Sequence, residues 1–178
     1  MAPRSDLPDY LAPNLKILFV GINPGLRSAA LGHHYAGSSN RFWKLLFEAN
    51  LVPERLSYGD DVRLPEWGIG LTNLVPRATA GIDDLTSDDY SAGRVAFMRK
   101  VKRNRPRLIA LLGVTLYPVI FPLEPKQPSR RPGLQPVTLH KSAVVLLPNP
   151  SGRNASYSYE AMLNAFRALT PWLTTMPQ

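Results

Sequence analysis

Apolar positions along this chain gather into short dense runs, separated by polar stretches rich in glycine and proline. Lys16 to Val20, Arg107 to Gly113 and Ala143 to Leu147 are near-continuous apolar runs, the pattern of strands buried on both faces. Gly68 to Val75 reads as a further strand, second in chain order. Between these runs the period lengthens. Phe42, Leu45, Leu46 and Ala49, extended by Trp43 and Phe47, recur at helical spacing and predict a helix over 40–50, with Ser38 or Ser39 as its cap. Ser91 to Asn104 predicts a second helix, with Val95, Met98 and Val101 inward and Arg94, Arg99, Lys100, Lys102 and Arg103 outward. A short helix near Val114 to Ile120 follows. The last helix, capped by Ser156 or Ser158, turns Met162, Ala165, Phe166 and Leu169 to the core.

Strands alternating with helices, in βα-like units without repeats, predict an α/β fold: a three-layer α/β/α sandwich around a central, mainly parallel sheet of four to five strands. Right-handed crossovers bring the strand ends to one rim. The polar stretches divide the chain into a loosely ordered, proline-rich leader (residues 1–14) and a single domain (residues 15–178). Leu51 to Pro65 reads as a connection with a short helical piece. Thr79 to Asp89 is a polar loop whose aspartates suit a helix start rather than a metal site. Phe121 to Pro136, rich in Pro, Lys and Arg, predicts an irregular basic surface loop, with a short strand at Thr138 to His140.

Two of the buried strands end alike. The first breaks into Gly21-Ile22-Asn23-Pro24-Gly25-Leu26, the last into Pro148-Asn149-Pro150-Ser151-Gly152-Arg153-Asn154. In a parallel sheet both loops lie at the carboxyl edge, where ligands bind, and converge on one another. Glycine lets backbone approach a ligand closely, and Pro24 stiffens the turn. Asn23 is then a side chain held at the sheet edge with both a donor and an acceptor to offer. Asn73 closes the second strand on the same rim.

The paired loops resemble the two signature motifs of the uracil-DNA glycosylase superfamily, in its mismatch-specific uracil/thymine branch. That branch carries Gly-Ile-Asn-Pro-Gly-Leu first and Asn-Pro-Ser-Gly second, and both stand here unaltered. The likeness continues through Asn40-Arg41-Phe42-Trp43-Lys44 and Leu71-Thr72-Asn73-Leu74-Val75, covering most of residues 16–169. It implies a monofunctional glycosylase that flips uracil or a related base, notably from G·U or G·T mismatches, and hydrolyses its N-glycosidic bond, initiating base excision repair. Asn23 would be catalytic, orienting the attacking water. Gly21, Ile22, Pro24, Gly25, Leu26, Tyr35, Asn73 and Asn149 would form the base pocket, with Tyr35 stacking on the base. Asn149 would either bond the base or brace its loop. Pro150, Ser151, Gly152, Arg153 and Asn154 would enter the minor groove, and Arg153, where bacterial relatives often carry Leu, would fill the gap the base leaves. Bacterial relatives place Lys at the position of Asn73. The resemblance implies no cofactor and no metal.

Charge and composition sharpen this. A net charge of +8 favours a polyanionic partner, since Lys and Arg meeting phosphates release counterions. The expected partner is double-stranded DNA with a mismatched or damaged base, met by a monomer and without a membrane. With no cysteine, disulfides, thiolate zinc and cysteine-ligated iron–sulfur clusters are excluded. His33 and His34 suit loop packing better than ligation. No signal-peptide pattern opens the chain, so a cytoplasmic location is expected, in a bacterial cytosol or nucleoid by the resemblance. The order of uracil, thymine, ethenocytosine, hypoxanthine and xanthine as substrates stays open, because pocket width sets it. A catalytically silent DNA-damage-binding module on the same scaffold is the alternative.

Overall fold

The computed structural model describes residues 7–124 and 130–174. Five strands form one sheet: β1 (Ile17–Gly21), β2 (Ile69–Asn73), β3 (Leu108–Leu112), β4 (Gly133–Leu139) and β5 (Ser142–Leu147). Their spatial order is β2-β1-β3-β5-β4, parallel throughout except for β4, which runs antiparallel along β5. Six helices accompany them: α1 (Leu26–Leu31), α2 (Phe42–Glu48), α3 (Ser87–Asn104), α4 (Leu116–Ile120), α5 (Tyr159–Arg167) and α6 (Thr170–Thr174).

Strand alternation splits the core into two layers. Ile17, Phe19, Leu108, Ala110, Val145 and Leu147 point to one face, where Phe42, Leu45 and Leu46 of α2 and Met162 and Phe166 of α5 cover them. Leu18, Val20, Ile109, Leu111, Val144 and Leu146 point to the other, against Phe97 and Val101 of α3 and Leu116, Tyr117 and Ile120 of α4. Both faces are thus apolar, which is why these strands read as unbroken runs rather than alternating ones. The result is the expected three-layer sandwich. Among the described residues no helix is long and apolar enough to cross a membrane.

Several local expectations change. Gly133 to Pro136 belongs to strand β4 and not to an irregular loop. Pro136 is accommodated because β4 is the sheet edge and its register slips between Leu134 and Thr138. Residues 125–129 of that stretch lie outside the described residues, as do 1–6 of the leader. Within the remainder of the leader Tyr10 makes an antiparallel bridge to Leu71 of β2. Helix α3 starts four residues before the predicted point, where Thr86 Oγ1 accepts from the Asp89 N–H and the Asp89 carboxylate accepts from the Thr86 N–H. Its buried residues are Gly93, Phe97, Val101 and Asn104, while Val95 is 49% exposed. Gly93 fixes that rotation: a side chain there would collide with the Leu74 carbonyl. Neither Ser38 nor Ser39 caps α2; Asn40 Oδ1 accepts the Phe42 N–H at 2.9 Å instead. Residues 26–31, expected as loop, form α1. Ser158 caps α5 by accepting from Ala161 N at 3.1 Å.

Candidate active site

Parallel pairing puts the carboxyl ends of β1, β2, β3 and β5 on one rim, and a cleft of about 660 Å³ opens there. Its floor is the end of β1. A side chain on Gly21 would stand 2.5 Å from Asn73 Oδ1 and 3.2 Å from the Tyr35 hydroxyl, so only glycine lets these two groups close over the strand. Asn73 is 8% exposed.

Asn23 follows on the wall. Its Nδ2 donates to the Arg77 carbonyl at 2.9 Å and to Thr79 Oγ1 at 2.7 Å. A carbonyl can only accept, so the NH2 side of the amide faces that loop and Oδ1 is the uncommitted atom. The Thr79 hydroxyl spends its proton on the Gly81 carbonyl at 2.7 Å, which keeps its lone pairs toward Asn23. The loop itself is anchored. Arg77 donates to both carboxylate oxygens of Asp89, at 2.6 and 3.2 Å, and to the Asp84 carbonyl at 2.8 Å. The Arg77 guanidinium, with the Thr86 N–H, holds the Asp89 carboxyl well below the usual carboxylate range.

Tyr35 forms the opposite wall in a left-handed conformation, φ +53°. One face of its ring lies on Phe42 at 4.2 Å between centroids; the residue also lines the cleft. Its hydroxyl is buried without a partner, and burial pushes its pKa up. The segment is bracketed by Ser28 Oγ, which accepts from Ala36 N at 3.0 Å, and by Arg27 Nε, which donates to the Ala36 carbonyl at 2.9 Å.

The second loop closes the cleft from β5. Asn149 Oδ1 accepts the Ser151 N–H at 2.9 Å, and Asn154 Nδ2 donates to the Asn149 carbonyl at 2.9 Å. Of the two roles open to Asn149, its Oδ1 performs the bracing. Arg41 ties the loop to α2: its backbone N–H donates to the Pro150 carbonyl at 3.0 Å, and its guanidinium to the carbonyls of Ser151 at 2.8 Å and Asn154 at 3.1 Å. Gly152 presses so closely on Ser39 that any side chain would displace it. Arg153 is exposed and reaches across the mouth to donate to the Ala80 carbonyl at 3.0 Å.

A family model described as the uracil DNA glycosylase superfamily matches residues 8–173. The chain belongs to that superfamily. The fold is also similar to the solution structure of a candidate uracil DNA glycosylase from Methanosarcina acetivorans, at a TM-score of 0.60 and 20% identity, covering 94% of this chain and 98% of that one.

The uracil DNA glycosylase scaffold here gathers Gly21, Ile22, Asn23, Pro24, Gly25, Leu26, Tyr35, Asn73, Asn149, Ser151, Gly152, Arg153 and Asn154 around this cleft. Pro150 is buried behind it, contributing its carbonyl to Arg41. Thr79, Arg77 and Arg41 join the site without belonging to either signature loop. Arg41 stands inside a run that carries the resemblance, whereas Thr79 and Arg77 lie in and beside a polar loop with nothing to mark them. Among the described residues no group of three or more His, Asp or Glu side chains is arranged to hold a metal ion.

Proposed function

We propose that this superfamily member is a monofunctional DNA glycosylase that removes uracil, and related bases in G·U or G·T mismatches, from duplex DNA as a monomer. The observation that carries the reading is the Asn23 amide, pinned through its NH2 to Arg77 and Thr79 so that Oδ1 is free to orient a water. The base must leave the stack, at a cost of a few kcal/mol, to reach such a cleft. Tyr35 then offers a ring face for stacking, and Arg153 releases Ala80 and enters the vacated gap, where its planar guanidinium stacks or bonds the orphaned base.

In the chemical step the water oxygen bonds to the sugar C1′ as the C1′–N bond breaks. The bonding pair departs with the base as its anion, and the water's proton passes to solvent. An amide does not ionise near neutrality, so Asn23 orients this water without deprotonating it. The reaction therefore leans on the leaving group. Leu26, Arg27 and Ser28, at the uncapped start of α1, line the cleft where backbone N–H groups suit a developing anion. A slow enzyme favouring good leaving groups and weakly paired bases follows.

The test is single-turnover incubation, with protein in excess, of duplexes carrying U·G, T·G, U·A or ethenocytosine opposite guanine, and of single-stranded uracil, scored for abasic sites. Release is expected fastest from U·G and slower from U·A. Binding without release from any substrate would overturn the proposal in favour of a silent damage-binding module.

A further inference from the structure

Asp61 lies in the 3₁₀ turn Tyr58–Trp67, far along the chain from both signature loops, and it is completely buried (0% exposed). A carboxylate in such a place is costly unless donors compensate it. Two do. The His34 backbone N–H donates to Oδ2 at 2.9 Å and the His33 ring nitrogen Nδ1 stands 3.1 Å from Oδ1, while the Asp61 charge helps to push the Tyr10 hydroxyl's pKa up. Both bonds come from the two residues immediately before Tyr35.

The His34 carbonyl and its ring Nε2 are committed as well. Its carbonyl accepts from Trp43 Nε1 at 3.2 Å, and its Nε2 donates to the Pro8 carbonyl at 2.8 Å. His34 thus reaches Tyr35 with no free hydrogen-bonding group on its backbone. Tyr35 itself sits in a left-handed conformation that a non-glycine residue keeps only when its surroundings impose it. Tyr35's own hydroxyl makes no bond that would do so. The constraint comes from the flanks.

We infer that Asp61 is a positioning residue for base capture: by anchoring His33 and His34 it holds Tyr35 in the left-handed conformation that turns its ring toward the cleft. A carboxylate suits this task because its oxygens accept from several donors in different directions. An aliphatic side chain of similar size would fill the space and leave the loop unanchored. The inference rests on the glycosylase reading for its effect on rate, and on Tyr35 geometry alone for its effect on structure.

The experiment takes Asp61→Asn, which keeps the shape and one acceptor but turns an NH2 toward the other donor. Ring-current shifts of the Tyr35 resonances, produced by Phe42, should move toward unstacked values. Single-turnover uracil release from a U·G duplex should fall about tenfold or more, the scale of losing one anchored hydrogen-bond set. Affinity for undamaged duplex should stay unchanged. Combined with Tyr35→Ala, Asp61→Asn should add little further loss, whereas a general weakening of the fold would add its full effect. Because Asp61→Asn removes a buried charge and risks the fold, His33→Ala, on the partly exposed side, gives a second arm with a smaller loss of about two- to threefold in the same direction. Unshifted Tyr35 resonances with an undiminished rate, or full additivity with Tyr35→Ala, would overturn the inference. If the parent protein releases no base, the glycosylase reading fails while the resonance shifts still decide the role of Asp61.

Discussion

Replacing Asn23 by Asp puts a stronger base where water would be activated, and simple chemistry expects acceleration. The geometry expects the reverse. Asn23 Nδ2 donates to the Arg77 carbonyl at 2.9 Å and to Thr79 Oγ1 at 2.7 Å, and a carboxylate can do neither. The Thr79 hydroxyl can turn to donate, but only by abandoning the Gly81 carbonyl it holds at 2.7 Å. The Arg77 carbonyl has no proton to give, so acceptor would face acceptor. Leaving such a partly buried acceptor unpaired costs about 1–2 kcal/mol, the lower part of the usual range because Asn23 is only half-buried. The penalty falls on the ionised form and pushes the new carboxyl's pKa up, but at about 1.4 kcal/mol per tenfold it is too small to keep the group protonated near neutrality. It is therefore ionised at pH 7.5 and driven away from its two anchors. Single-turnover release from U·G at pH 7.5 should fall by about five- to thirty-fold in Asn23→Asp. The rate should then recover as pH drops toward 5, because the protonated carboxyl again donates to Arg77. The parent carries no titrating group at this position and should lack that recovery. Circular dichroism and Tm confirm the fold. A variant as fast as the parent at pH 7.5, or one that slows further in acid, would refute the reasoning.

Arg153→Ala should reduce turnover on U·G more than it weakens affinity for undamaged duplex, measured by single-turnover kinetics and fluorescence anisotropy; equal losses would argue against insertion into the gap. Arg41→Ala removes charge-assisted bonds to the Ser151 and Asn154 carbonyls, each worth about 1.5–3 kcal/mol, and should lower Tm and slow release together. Burial lowers the pKa of His34, so the unfolded chain takes up its proton first. Stability should be full above about pH 6.5 and decline as pH falls below that value. Tm measured from pH 7.5 to 5.5 should show this decline, less steeply in His34→Gln, and a flat profile would contradict it.

The fold was legible where a single interaction decides it. Residues 17–20, 108–112 and 143–147 are apolar on both faces because helices cover both, and such runs have few alternatives. The rotation of α3 was not legible. Val95, Met98 and Val101 satisfy helical spacing as well as Gly93, Phe97 and Val101 do, and the contact of Gly93 with the Leu74 carbonyl decides between them. Strand β4 was hidden because an edge strand needs little apolar character and tolerates Pro136. At the site, the two Asn-Pro loops announce themselves by composition. The groups that aim them do not. Thr79 is 56 residues from Asn23, Asp61 is 27 from His34, and Arg41 is 110 from Ser151, distances over which no local pattern carries information.

The most direct test compares the parent protein with Asn23→Ala on one U·G duplex, measuring free uracil under single-turnover conditions alongside duplex affinity. The account predicts stoichiometric release by the parent, loss of release in Asn23→Ala, and similar affinity for both. Release that survives the substitution, or a parent that binds the duplex and leaves every uracil in place, would contradict it.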